Sequence, residues 1–144
     1  MYTKNETIRF KHVDYAGIVF YPRFLEMLND LVEDWFEGAL DRAFSKIHET
    51  NGIQTVDLKV QFKNPARIGD TLTKKLWVIN LGGASVTCGF TFECGPKLCL
   101  QGEVTLVNVA LNKGSEIKAE PFSDDTRARI RKFQIENSNL ERNE

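Results

Sequence analysis

The sequence predicts an α+β domain in which a curved antiparallel sheet wraps around a long central helix. After Pro22, apolar residues recur at three- and four-residue steps, the period of a helix buried along one stripe. From Ile53 onward they alternate with polar residues, the period of strands with one buried face. Gly82-Gly83 and Gly95-Pro96 divide the later alternating segments as hairpin signals, which makes neighbouring strands antiparallel. A helix so apolar on one side needs a sheet to cover it, and a sheet curled around it is the economical solution.

The elements follow in order. A short strand is expected from about Glu6 to Phe10. In the long helix Phe24, Leu25, Leu28, Leu31, Val32, Trp35, Phe36, Ala39 and Leu40 form the stripe, with Glu26, Asn29, Asp30, Glu33 and Glu37 between them. Pro22 suits the first helical position, where its missing N–H costs nothing. Gly38 and Asp41 mark a bend, and "RAFSKIHETNG" reads as a shorter helix ending at Asn51-Gly52. In "IQTVDLKVQF", Val56, Leu58, Val60 and Phe62 form the expected buried face of a strand, which "NPARIGD" ends with turn residues. Three further strands are expected, about Thr71 to Asn80, Ala84 to Glu93 and Leu98 to Leu111. The last switches its apolar set from Val104 and Leu106 to Val107 and Val109, the mark of a bulge or a change of buried face. Ser123 is the expected N-cap of a terminal helix with Asp124 and Asp125 in its first turn.

At 144 residues the chain suits a single domain, expected over 1–135, with a flexible tail over 136–144. Hydrophobic residues at 42% and charged residues at 27% are the balance of a soluble globular protein, and a net charge of −1 argues against a general nucleic-acid binder. The opening "MYTKNETIRF" lacks a signal-peptide profile and no apolar run is long enough to span a bilayer, so the expected location is the cytoplasm, away from membranes. Cys88, Cys94 and Cys99 suit neither a disulfide framework nor a zinc site, although Cys94 and Cys99 flank a hairpin that would let them face each other.

The residues Asp14, Ala16-Gly17-Ile18-Val19 and Tyr21-Pro22, then the long helix, "NPARIGD" and "LGGAS", resemble the hotdog-fold acyl-CoA thioesterases, specifically the 4-hydroxybenzoyl-CoA thioesterase group and its acyl-CoA relatives. The match covers roughly Thr7 to Leu111. "DxAGIVxYP" is quite specific, whereas "PARIGD" is shared by hotdog proteins of other activities. The resemblance implies a hotdog fold, hydrolysis of an aryl- or acyl-CoA thioester without metal or other cofactor, and a homodimer or homotetramer. It also implies that Asp14 attacks the thioester carbonyl or activates water, and that the Tyr21 backbone N–H binds the carbonyl oxygen.

Those residue types make chemical sense on their own. A helix N-terminus presents unpaired N–H groups and partial positive charge, which stabilise a developing oxyanion and a nearby carboxylate. Pro22 has no N–H, which leaves Tyr21 and Arg23 onward as donors, and Gly17 allows a tight turn or a close ligand. The plainer alternative is that Asp14 only forms a turn. His12 stands where the family often has a second acidic residue; it can bond Asp14 or tune its pKa, or be a simple surface or core-edge histidine. "LGGAS" replaces a basic cluster of the benzoyl-specific enzyme, so contacts to the CoA phosphates are sought in Lys63, Arg67, or Arg127, Arg129 and Arg131, which are otherwise solvated charges. Tyr15, Phe20, Tyr21, Phe24 and Trp35 are candidates for an aryl pocket or for core. Ser45 beside His48 lacks a third partner for a triad, and two histidines in different elements do not suggest a metal site. Hydrolysis of acyl carrier protein thioesters and a non-catalytic acyl-CoA-binding module are the alternatives.

Overall fold

The computed structural model describes residues 1–42, 51–111 and 117–135. The elements are β1 (Tyr2–Thr7), a 3₁₀ turn (Phe10–His12), α1 (Tyr21–Asp34) continuing into a π-helical turn (Trp35–Ala39), β2 (Asn51–Phe62), β3 (Thr71–Leu81), β4 (Ser85–Cys94), β5 (Lys97–Ala110), β6 (Lys118–Ala119) and α2 (Asp124–Arg131). The strands form one antiparallel sheet in the order β1-β3-β4-β5-β2, with the short β6 on the end of β5.

The buried stripe of α1 is Phe24, Met27, Leu28, Leu31 and Val32, continued by Trp35 and Phe36. Its counterpart is the inner sheet face, where Leu72, Leu76 and Val78 of β3, Val86, Cys88, Phe90 and Phe92 of β4, and Leu100, Val104 and Leu106 of β5 are buried. Pro22 is the second residue of α1, one later than expected, where the N–H is equally without an intrahelical partner. The bend expected at Gly38 and Asp41 is the π-helical turn, after which Asp41 takes φ 54°. The helix expected over "RAFSKIHETNG" falls mainly on residues 43–50, outside the described residues, as do Ser45, His48 and the tail over 136–144. Asn51 and Gly52 are not a helix stop but the first residues of β2.

Two further expectations are corrected. The first strand is Tyr2–Thr7, earlier than Glu6 to Phe10: "YTKNET" has no apolar alternation, and pairing with β3 decides its register. In β2, Leu58, Val60 and Phe62 point to the helix side but are not buried as a face, with Leu58 39% and Phe62 49% exposed. Val56, 54% exposed, is an extra residue where the register with β5 shifts between Thr55 and Asp57. The reason is width. A helix about 10 Å across cannot cover five strands spaced about 4.8 Å apart, and among the described residues β2 is the edge it leaves uncovered. In β5 the register with β4 runs unbroken from Leu100 to Val107, while Asn108 and Val109 are both buried; the expected switch near Val107 is thus a change of burial, and the extra residue in β5 is Cys99.

Because β2 and β3 are consecutive in sequence but two strands apart in the sheet, residues 63–70 cross the ends of β5 and β4. The crossover is anchored by Lys63 and Asn64 N–H groups donating to the Cys99 carbonyl at 2.8 and 3.2 Å. At the far end of β3, α2 is capped as expected, the Thr126 N–H donating to Ser123 Oγ at 3.2 Å.

Gly102 makes the β5–β2 pairing close: a Cβ there would collide with the Lys59 backbone carbonyl and press on Phe90. Gly102→Ala is therefore expected to destabilise the fold by about 1–3 kcal/mol despite alanine's better strand propensity. Leu31→Ala, which empties a fully buried site, is expected to cost about 2–5 kcal/mol. Urea denaturation monitored by tryptophan fluorescence measures both.

Candidate active site at the start of the central helix

The site is built from two tight turns that hold each other. Val13 and Val19 form an antiparallel bridge around the first, with the Asp14 N–H donating to the Ile18 carbonyl and the Gly17 N–H to the Asp14 carbonyl, both at 3.0 Å. Gly17 takes φ 77°, a left-handed conformation that favours glycine. The second turn is the crossover's Arg67–Asp70, closed by the Arg67 N–H donating to Asp70 Oδ2 at 2.9 Å. The two pair through Val19 N–H to Ala66 carbonyl at 2.9 Å and Ile68 N–H to Gly17 carbonyl at 3.0 Å.

Within this frame Asp14 is exposed, and its Oδ1 accepts the Ala16 N–H at 2.8 Å. The turn-forming role weighed for it in the sequence is therefore real. It occupies one carboxylate oxygen; among the described residues Oδ2 accepts no hydrogen bond. The Phe20 N–H donates to the His12 carbonyl at 3.1 Å, which holds the start of α1 beside the segment leading into Asp14. Phe20 is the N-cap and has no side-chain cap, and Arg23 N–H donates back to the Phe20 carbonyl at 2.8 Å. Among the described residues the Tyr21 N–H donates to nothing, so an exposed carboxylate oxygen and an unspent helix-end donor stand on the same frame.

Of the other candidates, Lys63 and Arg67 lie on the crossover at this same end of the sheet, exposed, with no side-chain hydrogen bond or ion pair among the described residues. The arginines of α2 do not join them. Arg127 Nη1 donates to the Gly82 and Gly83 carbonyls at 2.6 and 3.1 Å, Arg129 pairs with Asp125, and α2 packs at the opposite end of β3. His12 does not bond Asp14: its Nδ1 accepts the Arg9 N–H at 2.8 Å and its Nε2 faces Glu6. Among the aromatic candidates Trp35 and Phe24 are core, whereas Tyr15, Phe20 and Tyr21 are exposed. Phe62, expected on a buried strand face, instead meets Tyr21 edge-on at 6.1 Å and Phe24 at 6.2 Å. Only the topology brings it there.

Two thiols are far from reactive. Burial pushes Cys88 up to about 12, and Cys94 reaches about 12 through burial first and then its hydrogen bond with Cys99, which it faces across the hairpin as a free thiol. Among the described residues no group of three or more His, Cys, Asp or Glu is placed to hold a metal ion, and no helix is long and apolar enough to cross a membrane.

A family model described as the thioesterase-like superfamily matches residues 8–130. Among curated proteins, none matches the sequence. The chain is similar in structure to a 1,4-dihydroxy-2-naphthoyl-CoA thioesterase from Synechocystis, at 20% identity over 89% of this chain and 93% of that one, TM-score 0.79. It is similar to the dynemicin thioesterase at 14% identity over 94% and 98%, TM-score 0.86. A gentisyl-coenzyme A thioesterase gives 20% identity over 88% and 99%, TM-score 0.77. The sheet curled around a central helix is thus the hotdog fold that the motif resemblance implied.

A Cβ on Gly17 would meet nothing within 4 Å, so its constraint is backbone conformation and not space. Gly17→Ala is expected to cost about 1–2 kcal/mol through the left-handed φ alone, and Gly17→Asn, a residue that tolerates this region, less. Thermal denaturation of the two variants side by side checks the order.

Proposed function

The chain belongs to the thioesterase-like superfamily, and we propose that it hydrolyses an acyl- or aryl-CoA thioester to the free acid and CoA. The observation that carries the reading is that Asp14 Oδ2 and the Tyr21 N–H, both without a hydrogen bond among the described residues, stand on one hydrogen-bonded frame. Oδ2 attacks the carbonyl carbon, or takes a proton from a water that attacks it. The carbonyl electron pair moves onto oxygen, where the Tyr21 N–H and the helix end stabilise it. Collapse breaks the C–S bond and the CoA thiolate leaves, gaining a proton from solvent. In the nucleophilic form, water then cleaves the mixed anhydride and restores the carboxylate.

Gly17 keeps the turn in the shape this requires and leaves room above it, and Pro22 fixes the helix start without competing as a donor. Lys63 and Arg67, whose side chains make no hydrogen bond or ion pair among the described residues, are the proposed contacts for the CoA phosphates. The exposed rings of Phe20, Tyr21 and Phe62 favour an aryl acyl group, in line with the naphthoyl- and gentisyl-CoA substrates of two structural neighbours.

The functional unit is at least a homodimer. Leu25, Leu28 and Val32 of α1 and Ile53, Thr55 and Leu58 of β2 leave an open groove of about 100 Å³, and among the described residues β2 is an edge strand with no strand beyond it. A second copy covers both.

Asp14→Asn keeps the side chain's shape and the Ala16 N–H bond but has neither nucleophile nor base. It is expected to abolish most turnover of benzoyl-CoA while the circular dichroism spectrum and CoA-thioester binding stay near the parent's. Tyr21→Phe leaves the backbone donor in place and is expected to be mild, against the ~10²–10³ in rate that loss of such a donor costs. Equal severity in the two variants would make the phenol the electrophile and overturn the backbone assignment. Sedimentation at micromolar protein is expected to give a dimer or tetramer; a stable, active monomer refutes the assembly.

A further inference from the structure

Joined to the Asp14 turn through His12 is a charged cluster that the reaction scheme does not use. Lys74, on the inner face of β3, is only 3% exposed, and its Nζ donates to Glu6 Oε1 of β1 at 2.7 Å. The other Glu6 oxygen, Oε2, stands 3.5 Å from Nε2 of His12, which is 7% exposed. His12 Nδ1 accepts the Arg9 N–H at 2.8 Å, so Nδ1 carries no proton and the proton of the neutral ring is on Nε2, toward Glu6. The main chain of the same residue holds the helix start through the Phe20 N–H to His12 carbonyl bond. One residue thus joins the β1–β3 ion pair to both strands of the turn that presents Asp14.

We propose that His12 is a positioning residue for the Asp14 turn and the Tyr21 donor, held neutral between the Arg9 N–H and the Lys74-backed Glu6 carboxylate. The charged groups around it are Glu6 on β1, Lys74 on β3, Arg9 and Lys11 at the 3₁₀ turn and Arg23 on α1. Glu6 alone favours the imidazolium. Burial, the largest cause, and then Lys11, Arg9 and Arg23 disfavour it, and the net direction is downward from 6.5. A proton on Nδ1 cannot coexist with the Arg9 N–H bond. The sign follows: the ring's contribution is present above the ordinary histidine value and is lost as pH falls below it, through the lowered value of the folded state. Below that window the Arg9–His12 turn opens and the Phe20 bond weakens, so Asp14 and the Tyr21 N–H lose register.

The kinetic arm of the test rests on the thioesterase reading, and the exchange arm does not. With benzoyl-CoA as substrate, His12→Leu removes both polar contacts and is expected to lower kcat about ten- to a hundred-fold, with KM within about two-fold because no substrate contact is lost. His12→Asn, whose Oδ1 takes the place of Nδ1 but does not titrate, is expected to recover most of that loss and to lack the parent's acid limb in the histidine range. Hydrogen–deuterium exchange is measured in parallel from pH 8 to 5 on the parent and on His12→Asn. The Phe20 and Gly17 amides of the parent are expected to lose protection below the histidine range, while those of the Asn variant hold. Equal pH dependence in the two proteins, or a His12→Leu variant with native kcat, overturns the proposal. If benzoyl-CoA and its aliphatic counterparts are all left intact, the thioesterase reading fails while the exchange profiles still decide the role of His12.

Discussion

The packing of the α1 stripe into the concave face of the sheet sets the terms for the rest of the molecule. Leu31, Trp35 and Phe36 are buried against strands that bring Leu76, Phe90 and Phe92 to the same interior. At ~25 cal/mol per Å², several fully buried side chains outweigh any single polar contact described above. The helix can therefore move little along or across the sheet, and its first turn lies where the crossover from β2 to β3 passes. The candidate site at the helix start is located by the core, and the two paired turns refine that location.

The same packing explains why so much of the polar structure gathers at one end. The crossover has to leave an edge strand, pass the β4–β5 turn and enter β3, and its backbone groups need partners on the way. Cys99 supplies them at the start, and Gly17 and Ile8 supply them at the finish. Asp14 serves this frame with one oxygen and, among the described residues, leaves the other without a hydrogen bond, so a structural role and the proposed chemical one fit in one carboxylate. The buried Lys74 fits the same economy, since a cation so enclosed requires a fixed carboxylate, and that carboxylate in turn faces His12.

Periodicity made the core legible. The three-four spacing after Pro22 and the alternation of Val86, Cys88, Phe90 and Phe92 both describe burial on one face of a regular element, and burial follows them closely. It failed at β1, where Thr3, Lys4 and Asn5 carry no apolar pattern and pairing with β3 alone makes a strand. At β2 the pattern was right about the face and wrong about its cover, because alternation reports which way a side chain points and not whether this chain supplies the layer above it. For the candidate site, the turn at Asp14 and Gly17 and the helix end at Tyr21 were legible as local chemistry, and the catalytic roles proposed for them only as what the motif resemblance implies. Phe62 and the Glu6–Lys74–His12 cluster were not, since their members are separated by tens of residues and meet only after the sheet is ordered. Arg127 shows the converse: a basic residue that suggested phosphate binding is engaged by the carbonyls of a distant hairpin.

That β2, among the described residues, pairs with β5 alone has a kinetic side. The β3–β4–β5 meander is joined by short turns and can form from local contacts, whereas residues 51–62 must wait for residues 97–110 to be in place before they gain a partner. Closing that loop around an already formed meander is the costly, slow step. Since the crossover that carries Arg67 begins where β2 ends, the frame around Asp14 is among the last parts to assemble. In reverse, fraying of the edge strand loosens the frame around Asp14 while the central hairpins stay intact, which makes loss of the turn's hydrogen bonds an earlier signal of opening than loss of secondary structure.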